Sequence, residues 1–415
     1  NTLLASSKAG VDATLIAGYK SLGGWTGAGA NAWGAAPSNW VYNLAADETH
    51  KGSEPGDGDS WFAVELFQWN PAEGSFNDKW RSCYEGISRA NSAINTANEF
   101  LKNNPNETEY VNAVLGEATF LRAYQHFELY KVFKNAPYFT EADTDYRKAN
   151  DKPMLPLIIA DLEKAVQLAK ANKSSVGRID KTIATAYLGK VKLYNKDYAG
   201  ALAEFNKVIA SGKYKLSDCI YDNFNIATEN NSENILSVQS SVNDGDGGGA
   251  NANNHERLGL PHGDSFTGCC GFKQPTNDLV MAFKVDENGL PISTKGVAVK
   301  RIPAGADDVL DPRVEYTAGR TGVPYLDWGL HKDGWIRGQG YQGWYSPKKT
   351  VHLKSQPTLA GGWAGTQLSA LNFPLMRYSD VLLMAAECEV EVGSLAKAQE
   401  YVNMIRTRAG NCTQG

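Results

Sequence analysis

The sequence predicts a mainly α fold in which tetratricopeptide-like helical pairs support an irregular, loop-rich subdomain with a few short strands. Three observations predict it. Residues 77–212 and 377–410 carry apolar side chains at helical spacing, and one pair of these segments shows the small-and-large alternation of a tetratricopeptide repeat. The rest of the chain, at 23–70 and 213–376, is rich in Gly and Trp and follows neither the helical nor the strand period. The 415 residues are read as one unit built from these two textures.

Residues 11–22 predict a short helix. From Gly23 to Asp59 the chain turns to Gly, Ala, Asn and Pro with Trp25, Trp33, Trp40 and Tyr42 among them, which predicts a long ordered loop or a set of turns. Trp80 to Leu101 then places Tyr84, Ile87, Ala90, Ile94 and Ala97 on one helical face. Tyr110 to Phe133 follows with a broad apolar face, closed by Pro137, and a third helix covers Pro156 to Ala171. Asp180 is placed to cap a fourth helix running to about Tyr194, and Asp197 a fifth that stops at Gly212. In this last pair Gly189 and Ala201 allow close approach while Leu188 and Phe205 fill the gap. A looser echo places Ala385, Ala386, Ala398 and Val402 at the equivalent offsets near the C-terminal end.

Between the helical regions, Ser232 to Gln239 alternates as a strand does, and Gln274 to Pro291 reads as a short helix and turn. The block from Gly319 to Gly365 repeats the texture of the first loop. Seven of the ten tryptophans fall in these two loop blocks.

Composition bounds the function. Apolar residues make up 42% and charged residues 21%, which is globular. The net charge of -5 and the absence of a Lys/Arg stripe argue against nucleic acid as a partner. No stretch reaches the roughly 18 apolar residues that a membrane span needs. The six cysteines lack CxxC spacing, so a zinc knuckle is disfavoured. Buried or incidental thiols are the simpler reading of them, and one or two disulfides the alternative.

Several stretches, in order, resemble the SusD/RagB family of outer-membrane nutrient-binding lipoproteins. They are FQW at 67–69 with WRSCYEGISRANSAI at 80–94, GEATFLRAYQHFELYKVFKNAPYF at 116–139, and IIADLEKAVQLA at 158–169. GRIDKTIATAYLGKVKLYNKDYAGALAEFNKVI at 177–209, DPRVEYT at 311–317 and RYSDVLLMAAECEVEVG at 377–393 leading to NMIRTRAG continue the series. The resemblance implies that the irregular region binds ligand on the helical scaffold and that the protein captures glycans without cleaving them. It also implies delivery to a SusC-like TonB-dependent barrel transporter and a lipid anchor, on a cysteine upstream of Asn1, at the extracellular face of the outer membrane. A protein- or peptide-binding subunit of such an uptake complex is the alternative, and a glycoside hydrolase a weaker one.

Aromatic rings hold sugars because a pyranose presents a C–H face that covers an indole or phenol, while its hydroxyls reach polar partners. The candidate rings are Trp328, Trp335 and Trp344 from the later block with Trp33, Trp40 and Trp61 from the earlier one, and Tyr325 and Tyr341 as weaker members. Asn39, Asp327 and Arg337 lead the polar candidates, with Asp47, Asp57, Asp59 and Lys332 behind them. No cofactor is expected. GDGD at 56–59 and NDGDGGG at 243–249 gather oxygen ligands that would suit calcium, but neither follows the EF-hand order. GxSxG, HExxH, GxxxxGK and GxGxxG are absent, and no catalytic residue is assigned. Asp47, Glu48, Glu256, Asp264, Asp307, Asp308, Asp327 and Asp333 supply carboxylates without the apolar setting of a general acid.

Overall fold

The computed structural model describes residues 3–24, 32–245, 249–263, 268–361 and 364–412. Among them are twelve α-helices. Three precede the long scaffold helices: α1 (Lys8–Lys20), α2 (Trp40–Asn43) and α3 (Asp59–Glu65). The scaffold follows as α4 (Gly74–Asn103), α5 (Thr108–Phe133), α6 (Met154–Leu168), α7 (Lys181–Tyr194) and α8 (Tyr198–Ala210). The short α9 (Asn277–Met281) and α10 (Gln339–Gln342) lie in the irregular region, and α11 (Tyr378–Val392) and α12 (Leu395–Ala409) complete the scaffold.

Successive scaffold helices pack against one another from α4 to α8, and α11 closes on α8 before pairing with α12. The caps are where the sequence places them: the Asp180 carboxylate accepts from the Ile183 N–H at 2.9 Å, and Asp197 from the Gly200 N–H at 2.9 Å. The tetratricopeptide logic holds for α7 and α8, whereas in the looser echo Ala385, Ala386 and Ala398 are buried but Val402 faces solvent. A Cβ on Gly189 would fall 2.7 Å from the Phe205 ring, so only glycine lets α7 and α8 approach this closely. Gly116 does the same for α5, where a Cβ would meet the Ala169 backbone nitrogen at 2.5 Å.

Several helix boundaries differ from the periodicity: α1 starts three residues before the expected 11 and α6 ends three before Ala171, and two N-terminal shifts have a plain cause. α4 begins at Gly74, six residues before Trp80, because Ser75 and Lys79 are buried polar positions that carry no apolar signal. α6 begins at Met154 and places Pro156 in its first turn, where a missing N–H leaves no intrahelical bond unmade.

The α5 helix is buried over most of its length, and its buried charged residues are paired. Arg122 donates to both oxygens of Asp161 at 2.7 Å, Arg178 to Glu117 at 2.6 and 3.1 Å, and Lys79 to Glu128 at 3.0 Å. Burial opposes charge on Glu128, but Lys131 and Lys79 override it and hold the carboxyl well below its ordinary range.

The irregular region is folded around small cores of its own. One gathers Trp33, Trp40, Leu44, Val64, Leu258 and Phe272, and another Leu260, Tyr325, Trp335 and Val351. Short two-stranded sheets tie its segments. β1 (Thr49–Gly52) pairs antiparallel with Phe272–Pro275, and the expected strand near 234, β2 (Asn234–Val238), pairs with Phe373–Arg377 at the entry to α11. The cysteines depart from the simpler reading. Cys219 joins Cys412 and Cys269 joins Cys270 in disulfides, while Cys83 and Cys388 are buried free thiols.

Candidate functional site

The two loop blocks meet at β1. The Gly52 N–H donates to Gln342 Oε1 at 2.8 Å, and Gln342 donates in turn to Glu65 at 2.8 Å. Glu65 also accepts from the Lys51 N–H, at 2.7 Å. The Lys51 ammonium is fully buried; it donates to the carbonyls of Glu54 and Asp57 at 3.0 and 2.6 Å and lies 5.0 Å from the Tyr341 ring centroid. Burial pushes its pKa down, with Asp57 and Asp59 opposing. Arg337 completes the junction from the later block, donating to Ser53 Oγ at 3.0 Å, to Asp57 at 2.7 Å and to Glu54.

Beside this junction opens a cleft of about 680 Å³, lined by Trp33, Trp61, Leu258, Phe272 and the Cys269–Cys270 pair, with Glu54, Asp57 and Arg337 as its polar groups. Trp61 is half-buried, with its indole N–H on Ser75 Oγ at 2.9 Å and its ring edge-on to Phe272 at 5.3 Å. Trp33 keeps 8% of its surface exposed and lies under the Arg257 guanidinium at 5.1 Å. The His255 ring is edge-on to it at 6.5 Å, and burial drives that imidazole down to about 4, so it is neutral at pH 7. The wall is therefore aromatic and apolar, and the polar groups opposite it are held in ion pairs.

Of the predicted residues, Trp33, Trp61 and Arg337 thus come together, and Tyr341 stands against Lys51 nearby. The others are placed elsewhere. Trp40 is 2% exposed and packs edge-on to Trp61 at 5.1 Å, beneath the cleft wall. Trp335 and Tyr325 are 1% and 0% exposed and form the small core of the later block. Trp328 covers that core, its N–H on the His352 carbonyl at 3.0 Å, and Trp344 lies 4.4 Å from the Arg301 guanidinium. Asp327 accepts two backbone N–H groups, from Lys354 and Ser355, at 2.6 and 2.9 Å, which makes it a turn residue. Asn39 donates to Glu128 at 2.9 Å and anchors its loop to the scaffold. Trp25, Trp363 and Asp264 lie outside the described residues.

Leu258, Phe272, Glu54 and the cysteine pair were not among the predicted site residues. The adjacency of Cys269 and Cys270 was the one signal available for them. In the first acidic loop Asp57 is engaged by Arg337 and Ser53, and Asp59 accepts from the Gly56 N–H at 3.0 Å. The second loop is only partly described. Among the described residues no three His, Cys, Asp or Glu side chains are grouped to hold a metal. A larger groove, about 1150 Å³, runs along α4 and is lined by Trp80, Tyr84, Phe139 and Tyr146; none of the predicted rings reaches it.

Comparisons with known proteins agree with this architecture. A family profile described as the SusD family matches residues 232–413, and one described as starch-binding associating with outer membrane matches residues 30–193. The SusD-like protein P2 of Formosa agariphila is 26% identical over 384 residues, covering 83% of this chain and 65% of that protein. The chain spans less than two thirds of the length of the curated relatives it matches. Among solved structures, a SusD-like protein from Bacteroides fragilis superposes with a TM-score of 0.77 at 21% identity, over 100% of this chain and 82% of the other. Surface glycan-binding protein A from Bacteroides thetaiotaomicron, solved with laminarihexaose, superposes with a TM-score of 0.72 at 18% identity, over 98% and 84%.

Proposed function

This chain belongs to the SusD family, and on that premise we propose that it binds an oligosaccharide or polysaccharide at the cell surface without cleaving it and passes it to a TonB-dependent barrel transporter. The observation that carries the reading is the cleft where Trp33 and Trp61, from one loop block, meet Arg337, from the other. Aromatic faces for the C–H side of a sugar and a forked donor for vicinal hydroxyls are what such a ligand needs. The laminarihexaose bound by the Bacteroides thetaiotaomicron neighbour and the starch-binding description of the matched profile favour a glucan. Placement at the outer membrane through a lipid anchor belongs to the same proposal; no helix among the described residues is long and apolar enough to cross a membrane.

The non-catalytic part of the reading is supported by the state of the carboxylates. Glu54 and Asp57 at the cleft are paired with Arg337, Asp308 with Lys284 and Lys300 at 2.8 Å, and Glu256 with Lys273. Among the described residues the carboxyls that burial pushes up, Asp78 and Glu229, the latter to about 7, do not line the cleft. A general acid needs a raised pKa beside the scissile bond.

Isothermal titration with starch, laminarin and a panel of other neutral glycans tests the proposal, with Trp61→Ala and Arg337→Ala alongside the native chain. Loss of a stacked ring is expected to cost on the order of 1 to 3 kcal/mol, roughly five- to 150-fold in Kd. A native chain that binds no glycan, or variants that bind as it does, overturns it.

A further inference from the structure

The Cys269–Cys270 disulfide is poorly explained as a staple. A cross-link stabilises by closing a loop in the unfolded chain, and the gain grows with loop length. Cys219–Cys412 spans a sequence separation of 193, whereas Cys269–Cys270 spans a separation of 1 and closes almost nothing. Its position is more informative. Both residues line the cleft that holds Trp33, Trp61 and Arg337. Cys270 retains 8% of its surface, Cys269 is partly exposed, and both pack on the Trp33–Trp40–Phe272 core.

The pair is also held rigidly from behind. The Cys270 N–H donates to the Leu258 carbonyl at 3.0 Å, the Gly271 N–H to Leu260 at 2.9 Å, and the Ser53 N–H to the Gly271 carbonyl at 2.6 Å. The last bond joins it to the segment whose Ser53 hydroxyl Arg337 also grips. A disulfide between neighbours replaces two S–H groups with a compact, polarizable surface that needs no hydrogen-bond partner, and sulfur of that kind packs well against C–H groups and ring edges.

We propose that the Cys269–Cys270 disulfide is itself a contact surface of the binding cleft, its sulfurs meeting the C–H face of a sugar ring, and that affinity therefore depends on its oxidation state. This rests on the glycan reading above. Reduction breaks the S–S bond with two electrons and two protons: an external phosphine supplies the electrons and becomes its oxide while water supplies the protons, or a dithiol supplies both and closes to its own disulfide. The small ring then opens to two independent thiols and the shaped surface is lost.

Two measurements test it, using starch or laminarin, whichever the native chain binds. In titrations, Cys269→Ser/Cys270→Ser is expected to bind at least fivefold more weakly, while Cys219→Ser/Cys412→Ser binds as the native chain does. On native protein, saturating glycan is expected to slow phosphine reduction of Cys269–Cys270, followed by alkylation and mass spectrometry, and to leave the rate at Cys219–Cys412 unchanged. The second arm does not depend on a variant folding. Unaltered binding by the folded Cys269→Ser/Cys270→Ser protein when Trp61→Ala has lost it, or a reduction rate indifferent to glycan, overturns this inference alone. A native chain that binds no glycan overturns the functional reading and this inference with it.

Discussion

The Asn39 side-chain amide donates to the Glu128 carboxylate at 2.9 Å, joining the first tryptophan loop to the most buried helix of the scaffold. Asn39 has φ 55°, in the left-handed region, where Asn is tolerated and most residues are not. One residue thus sets the loop's direction and adds a partner to the Lys79–Glu128–Lys131 ion cluster.

Two substitutions at Asn39 separate these roles. Asn39→Gly keeps the backbone conformation and loses only a hydrogen bond to a charged group, about 1.5–3 kcal/mol. Asn39→Ala loses the bond and adds about 1–2 kcal/mol of left-handed strain. Urea unfolding should rank native above Gly above Ala; an Ala variant as stable as the Gly variant would remove the conformational part of the argument.

Gly189→Ala sets helix propensity against packing. Alanine gains about 1 kcal/mol in a helix interior, but its Cβ would lie 2.7 Å from the fully buried Phe205 ring, and overpacking costs about 1–3 kcal/mol. Packing is expected to win, giving a net loss on the order of 1 kcal/mol, and Phe205→Leu should recover part of it in the double variant. Additive losses in the double variant would show that the two side chains do not compete for the same space.

Arg122→Met removes the guanidinium that grips both oxygens of Asp161, leaving that buried carboxylate with Tyr138 at 2.6 Å as its remaining close donor. Breaking a buried pair from one side costs about 3–5 kcal/mol. The denaturation midpoint should fall accordingly, and a change below about 1 kcal/mol would contradict the burial of this pair.

Acid sensitivity should come from histidine. Burial lowers His255, His331 and His352 to about 4 and His126 to about 3, against about 6.5 in an unfolded chain. A base with a depressed folded pKa stays neutral in the native state while the unfolded chain takes up its proton. Its stabilisation is therefore complete above about pH 6.5 and declines as pH falls towards 4, by about 1.4 kcal/mol per pH unit for each histidine. Urea midpoints should stay level from pH 7.5 to about 6.5 and fall from there to pH 5, with a shallower fall in His331→Gln; a profile flat down to pH 5 would show that these rings are not buried neutral.

Much of the scaffold was legible because its determinants are local. Helical periodicity in Tyr84 to Leu101, the carboxylate caps Asp180 and Asp197, and the Gly189–Phe205 alternation each act within a turn or between adjacent helices, so spacing alone exposes them. Ser75 and Lys79 were invisible to the same reading because they are polar and are buried only through partners elsewhere in the chain.

The loop region was legible in kind but not in residue. Its many tryptophans announced folded loops, yet nothing in the spacing of Trp61 and Trp335 says that one lines a cleft and the other fills a core. The reach of Arg337 to Ser53 and Asp57 crosses the two blocks, and the pairing of Cys219 with Cys412 crosses nearly half the chain; such contacts leave no local pattern. By itself, then, the sequence determined the helices, their pairing and the residue types available for recognition, since these follow from backbone periodicity and side-chain chemistry. Which rings face solvent, which carboxylates are neutralised and which sulfurs meet were decided only by the tertiary structure, because burial is a property of what packs opposite a residue and not of the residue itself.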